Sequence, residues 1–188
     1  MIFWSVSDPL ASPFPRLGIM RSMVLTLLIV LVALEGVSGQ MQGSQLPVDL
    51  SEDEVQLIVK ERKPKSHVEA AFKVSDARLS SALKLARDSQ YRESSQNLHL
   101  YVSLVSYADS YARRSTSQGS KERNSVLKVI EQKIFKQNQT LDAVVQELPF
   151  EYQENGTKAV EAVKSIRIRA LDEHLGGGFL KSATNTPE

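Results

Sequence analysis

The chain has 188 residues, with 23 Lys plus Arg against 22 Asp plus Glu, which is enough length for one domain with an ordinary core and no obvious room for two. Such balance creates no global field to draw in nucleic acid or an anionic surface, and 6% aromatic residues are too few for a base- or sugar-stacking face. No cysteine occurs, so thiol nucleophiles, thiolate metal sites, Cys-attached haem and a lipoprotein cysteine are excluded, and helices must hold by packing without disulfides.

Met23 to Leu34 is a run of twelve residues in which only Thr26 is polar. Arg16 and Arg21 precede it, and Val37-Ser38-Gly39 follows with modest side chains at the positions a signal peptidase reads. This pattern predicts a secretory signal peptide over residues 1–39, with Gln40 first after cleavage. The run is short against the roughly twenty apolar residues of a membrane span, and a retained inner-membrane signal anchor is the competing reading. Asp8, Pro9, Pro13 and Pro15 suit neither, whereas a start at Met20 gives a compact signal peptide, so translation is expected to begin there.

Residues 40–50 are polar and contain Gly43 and Pro47, a flexible leader. Ser51 with Glu54 three residues on is a capping box, opening a brief helix over about Glu52 to Arg62 that Pro64 stops. A second helix is expected from Pro64–Ser66 to about Ser89, with Val68, Phe72, Ser75, Leu79, Ala82 and Ala86 along its seam. Between Arg87 and Asn97 the apolar signal nearly vanishes, which predicts a turn or solvated corner, one bent continuous helix being the alternative. Leu98, Tyr101, Val105, Ala108 and Ala112 then share one face of a third helix ending near Arg114, with Asp109 and Ser106 pointing elsewhere.

Ser115 to Ser120 reads as a loop. A fourth helix over Lys121 to Leu148 carries Leu127, Ile130, Ile134, Leu141, Val144 and Leu148, with Gln137 as a polar break and a kink conceivable at Asn138–Thr140. The last helix is placed at about Gly156 to Leu175, with Ala159, Val163, Ile166 and Ala170 inward, and Gly176 to Gly178 ending it. Residues 177–188 are expected to be a flexible tail. The prediction is an all-α fold over residues 51–176: an antiparallel four-helix bundle with a short extra N-terminal helix.

No chemistry is legible. Di-metal bundles need Glu-x-x-His pairs, and the residues three before His67, His99 and His174 are Pro64, Gln96 and Leu171. His67 with Glu69, and Glu173 with His174, face different ways on a helix, so solvent-facing or cap-associated histidines are expected. No Gly-x-Ser-x-Gly occurs, and the triple glycine follows a helix instead of opening one, the wrong end for phosphate. Glu52, Asp53 and Glu54 are explained by the dipole of a first turn. Asn138-Gln139-Thr140 and Asn155-Gly156-Thr157 are glycosylation triplets only if the route carries that machinery. No catalytic, cofactor-binding or metal-ligating residue is therefore assigned.

Lys60, Arg62, Lys63 and Lys65 form a basic knot around Pro64 with His67. It reads as a solvated charge cluster, with contact to anionic lipid or an envelope polymer as the functional alternative. Among the tyrosines, Tyr101 and Tyr111 fit the buried side, whereas Tyr107 sits off it, where a partner surface is the functional alternative. The export signal, the capped Ser-x-x-Glu opening, the Phe-x-x-x-x-Ala-Arg-Leu helix from Phe72 to Leu79 and the Tyr-rich amphipathic helix resemble a set of uncharacterised exported bacterial all-helical proteins, over about Leu50 to Leu175. That resemblance implies an envelope location and brings no catalytic residue. Three functions follow as expectations: a non-enzymatic exported module binding a protein or envelope component; the same bundle held by a signal anchor; or a small-ligand binder or enzyme using residues such as Arg113, Arg114 and Glu173.

Overall fold

Residues 45–176 are described in the computed structural model, and all their regular secondary structure is α-helical. The expected signal peptide, its Met20 start, the cleavage site and the tail at 177–188 lie outside the described residues. The first helix, α1 (Glu52–Val59), opens with the capping box read from the sequence: the Ser51 hydroxyl accepts from the Glu54 N–H at 3.3 Å, and the Glu54 carboxylate accepts from the Ser51 N–H at 2.9 Å. It stops at Val59, short of the expected Arg62, and Ile58 is the residue it buries fully.

The second helix, α2 (Pro64–Arg87), begins with proline at its first position, where the missing N–H costs nothing. Its end corrects the expected corner at 87–97. The Ser89 N–H donates to the Ala86 carbonyl and the Gln90 N–H to the Leu85 carbonyl, with Ser89 at φ +60°, so a left-handed cap turns the chain in three residues without glycine. The third helix, α3 (Tyr91–Ser115), therefore includes the polar stretch before Leu98. Ser94 is what anchors that stretch: it is buried, and its hydroxyl donates to the Ala82 carbonyl at 2.8 Å.

The fourth helix, α4 (Lys121–Glu147), is capped by Ser120 and runs unbroken through Asn138–Thr140. The fifth, α5 (Phe150–His174), starts six residues before the expected Gly156. Gly156, expected at the helix start, is a close-approach residue inside the helix. A Cβ there would lie 3.1 Å from both methyls of Val145 on α4.

Side-chain partners give the helix directions. Arg78 meets Asn97 and Ala82 meets Ser94, so α2 and α3 run antiparallel; Glu131 meets Arg167 and Val145 meets Gly156, so α4 and α5 do too. Between these two hairpins the contacting helices run parallel. Ser75 pairs with Gln137 and Arg87 with Glu147, while Ser95 pairs with Asn155, Asp109 with Arg169 and Arg113 with Glu173. The antiparallel expectation thus describes each hairpin and not the contacts between hairpins, because the 116–120 loop carries the chain across between α3 and α4, which touch only lightly.

One burial pattern occurs in both hairpins at the 62-residue spacing of Ser75 and Gln137. Val68, Phe72, Leu79, Ala82 and Ala86 on α2 correspond to Ile130, Ile134, Leu141 and Val144 on α4 and Leu148 at its C-cap, and all ten are buried. Tyr101, Leu104 and Ala108 on α3 correspond in the same way to Val163, Ile166 and Ala170 on α5. Each large side chain so buried contributes about 1.5–3 kcal/mol, which is what holds a cysteine-free fold together.

Candidate functional site

His67 is the first departure from expectation. It is 6% exposed, its ring stacks on Tyr111 with centroids 3.8 Å apart, and both ring nitrogens are engaged. The Glu61 carbonyl lies 2.9 Å from Nδ1 and can only accept, so Nδ1 carries the proton and donates. The Tyr107 hydroxyl, 2.7 Å from Nε2, then donates to the imidazole. Tyr107 is accordingly buried inside the fold instead of lying on a partner surface. Burial, reinforced by Tyr111 and opposed by Arg114, raises its phenol pKa. The signal was present in the sequence as the His67–Tyr107–Tyr111 set, but only the packing of α2 on α3 brings it together.

Tyr101 lies at the centre of a second polar link. Its hydroxyl donates to Gln137 Oε1 at 3.2 Å, and Gln137 Nε2 donates to Ser75 Oγ at 3.1 Å and Asp76 Oδ1 at 2.6 Å. The Ser75 hydroxyl in turn donates to the Phe72 carbonyl at 2.9 Å. Desolvation, with the Asp76 charge behind it, raises the Tyr101 pKa well above the usual phenol range. Gln137, read from the sequence as a break in a seam, is a buried hydrogen-bonding node joining α2, α3 and α4.

A third cluster ties the C-terminal ends of α3 and α5 to the start of α4. Asp109, expected on the solvent side, is 3% exposed and accepts from Arg113 at 3.0 Å and from Arg169 at 3.1 Å. Glu173 pairs with Arg113 and lies 2.5 Å from Arg123, whose guanidinium also donates to the carbonyls of Arg113 and Thr116 at the end of α3. Burial lowers the Arg113 pKa, and Asp109 and Glu173 together more than offset it, so the net shift is upward. Arg113 and Glu173, two of the three residues offered for a hidden polar site, do meet; exposed Arg114 lies toward Tyr107. His174 is half-buried in the last turn of α5.

Near the other end of the molecule an open groove of 850 Å³ runs along α3, bordered by Asp49, Arg78 and the start of α5. Its polar lining includes Ser95, Gln96, His99, Asn155 and Lys158 over Leu98 and Ala159. Arg78 is already bound, donating to Glu54 at 2.8 Å and Asn97 at 3.3 Å. Burial alone would raise the Glu54 pKa, but hydrogen bonds from Arg78 and the Ser51 backbone outweigh it and hold the carboxyl below its usual value. Among the described residues no three His, Asp or Glu side chains are grouped as metal ligands, and no helix is long and apolar enough to cross a membrane.

Lys60, Arg62, Lys63 and Lys65 are all exposed, as a solvated cluster requires. No family model, curated protein or solved structure matches the chain.

Proposed function

We propose that the chain is an exported, non-enzymatic helical module that works by holding a partner in or beside the cell envelope. The reading joins the two hairpins as one four-helix bundle carrying α1 as a short extra helix, behind a cleaved signal at residues 1–39, a leader at 40–50 and a tail at 177–188. One observation carries the binding role. Five side chains capable of acid–base chemistry, His67, Tyr107, Tyr101, Asp109 and Glu173, are spent on bonds that fasten one helix to another or to the linker before α2, which leaves His99 and His174 outside that scaffold. The apolar run Met23–Leu34 and the resemblance to exported bacterial helical proteins support the location.

Expression with the native leader, followed by fractionation and N-terminal sequencing, tests the export. Gln40 as the first residue of a soluble exported form is expected; an intact Met20 on membrane-bound protein selects the signal-anchor reading, and retention in the cytoplasm overturns export altogether. A second reading, a small-ligand binder, rests on the groove beside His99 and Lys158, whose volume falls within the range of small-molecule sites.

A further inference from the structure

We propose that the basic knot between α1 and α2 is a docking surface for an anionic lipid bilayer. This names the envelope component in the function proposed above and rests on that reading only for where the bilayer is met. Lys60, Arg62, Lys63 and Lys65 fall within six residues, all are exposed, and none enters an ion pair among the described residues. Lys84, Lys128, Lys136 and Lys164 are also exposed and outside any ion pair among the described residues, but they are spread over three helices, whereas these four cations are packed into one short segment. The acids nearest in sequence are Glu61, half-buried, and Glu69, so the four cations leave a local positive field that the balanced net charge conceals.

The segment that bears them is fixed. The Glu61 N–H donates to the Ile58 carbonyl at 3.2 Å, the Glu61 carbonyl accepts from His67 Nδ1 at 2.9 Å, and Pro64 locks the backbone into α2. His67 is held in turn by Tyr107 and Tyr111 of α3. Charges displayed on a fixed segment lose little freedom on binding. They also crowd the positive end of the α2 dipole, where cations are unfavourable, and an anionic surface relieves that repulsion.

Two features favour a bilayer over a soluble polyanion. Val59, next to Lys60, is 54% exposed, and an apolar side chain flanking a row of cations suits the headgroup–acyl boundary and gains nothing from a polyanion. The cations are also concentrated at one end: the turns at the far end mix Asp88, Glu93 and Glu151 with Arg92 and the Arg87–Glu147 pair and hold no run of cations like that at 60–65, so a flat anionic surface is met by one end of the bundle. Each basic residue near such a surface adds to binding, and four together are worth about three orders of magnitude in affinity.

Co-sedimentation of the full chain, as recovered after expression, with phosphatidylcholine vesicles that contain or lack phosphatidylglycerol tests this. The readout is the difference between the two vesicle types, since any retained apolar run binds both alike. The native chain should prefer the anionic vesicles and lose that preference in high salt. Changing Lys60, Arg62, Lys63 and Lys65 together to Gln should weaken anionic binding about a hundredfold or more. Changing exposed Lys84, Lys128, Lys136 and Lys164 to Gln removes equal charge and should weaken it less than about tenfold. Circular dichroism of both variants confirms that they are folded. Equal losses in the two variants, no preference for anionic vesicles, or binding to soluble polyphosphate in place of vesicles would each overturn the proposal. Failure of export shows instead in the N-terminal sequence and the cell fraction, and leaves the vesicle result intact.

Discussion

In the α2–α3 hairpin the chain turns through Asp88–Gln90 and the helices close on Ser94, whose hydroxyl donates to the Ala82 carbonyl. In the α4–α5 hairpin it turns through Leu148 and Pro149, and the helices close on Gly156, the residue at the corresponding position, which simply has no side chain to obstruct Val145. The two crossings solve one problem, the near approach of two backbones, by opposite means. A small hydroxyl gives up some closeness and gains a hydrogen bond; glycine gains closeness and gives up helix propensity. The helices that follow differ in the same sense. On α3 ten residues are buried, including Leu98, Tyr101, Val105 and Ala108, because it touches α2, α5 and α4. On α5 only Gly156, Ala159, Val163, Ile166 and Ala170 are buried, a narrow stripe on a helix at the edge.

Breaking the central helix should cost most. Val105 is fully buried and Ser106 half-buried, one step round the same helix. Val105→Asp places a carboxylate among apolar side chains with no partner, and we expect a loss of about 3 kcal/mol or more. Ser106→Asp should change stability by about 0.5 kcal/mol. Urea melts followed by far-UV circular dichroism compare the two, and equal losses would mean that α3 is rotated about its axis, with Val105 out of the core.

The two turns and crossings sharpen the comparison at smaller scale. Gly156→Ala brings a Cβ to 3.1 Å from both Val145 methyls, and rotating Val145 still leaves one methyl against it. The clash should outweigh the propensity gain and cost about 1 kcal/mol. Adding Val145→Ala should recover that loss in thermal melts, which identifies the contact as the cause. Ser89 holds φ +60° without being glycine, so Ser89→Gly should stabilise by about 1 kcal/mol, visible as a raised Tm. Loss of stability there would mean that the Ser89 side chain does more than occupy the turn.

The smallest effect belongs to the cap of α1. The Glu54 carboxyl has a folded pKa below its usual value, so its contribution is full above the unfolded pKa and is lost as pH falls through the folded one. Glu54→Gln keeps the capping box and removes the charge opposite Arg78. We expect a loss of about 0.5–1 kcal/mol at neutral pH that shrinks toward zero in acid. A loss that grows on acidification would contradict this sign.

Helix faces were legible in the sequence and helix ends often were not, for a definite reason. The stripe Leu98–Ala112 and the seam Leu127–Leu148 are set by burial, which leaves a 3.6-residue period in the chain. The opening turns of α3 and α5 are anchored by a serine hydroxyl at Ser94 and a close approach at Gly156, and neither leaves an apolar residue for a periodicity to find. The polar interior was missed on the same grounds. Gln137, Asp109, His67 and Tyr107 are buried because their partners are, and those partners lie up to 62 residues away or on another helix. Only the Asp109–Arg113 spacing of four carried a local hint.

That buried polar groups fasten the hairpins together is tested most directly by a double-mutant cycle across the Tyr101–Gln137 bond, which joins α3 to α4. Tyr101→Phe and Gln137→Leu each leave a buried partner unsatisfied, whereas the double variant removes both ends of the bond. Measured by urea denaturation, we expect the double variant to be more stable than the sum of the single losses implies, by about 1–2 kcal/mol. Additivity within about 0.5 kcal/mol would show that the two side chains act independently, and would contradict a fastening role for the polar core.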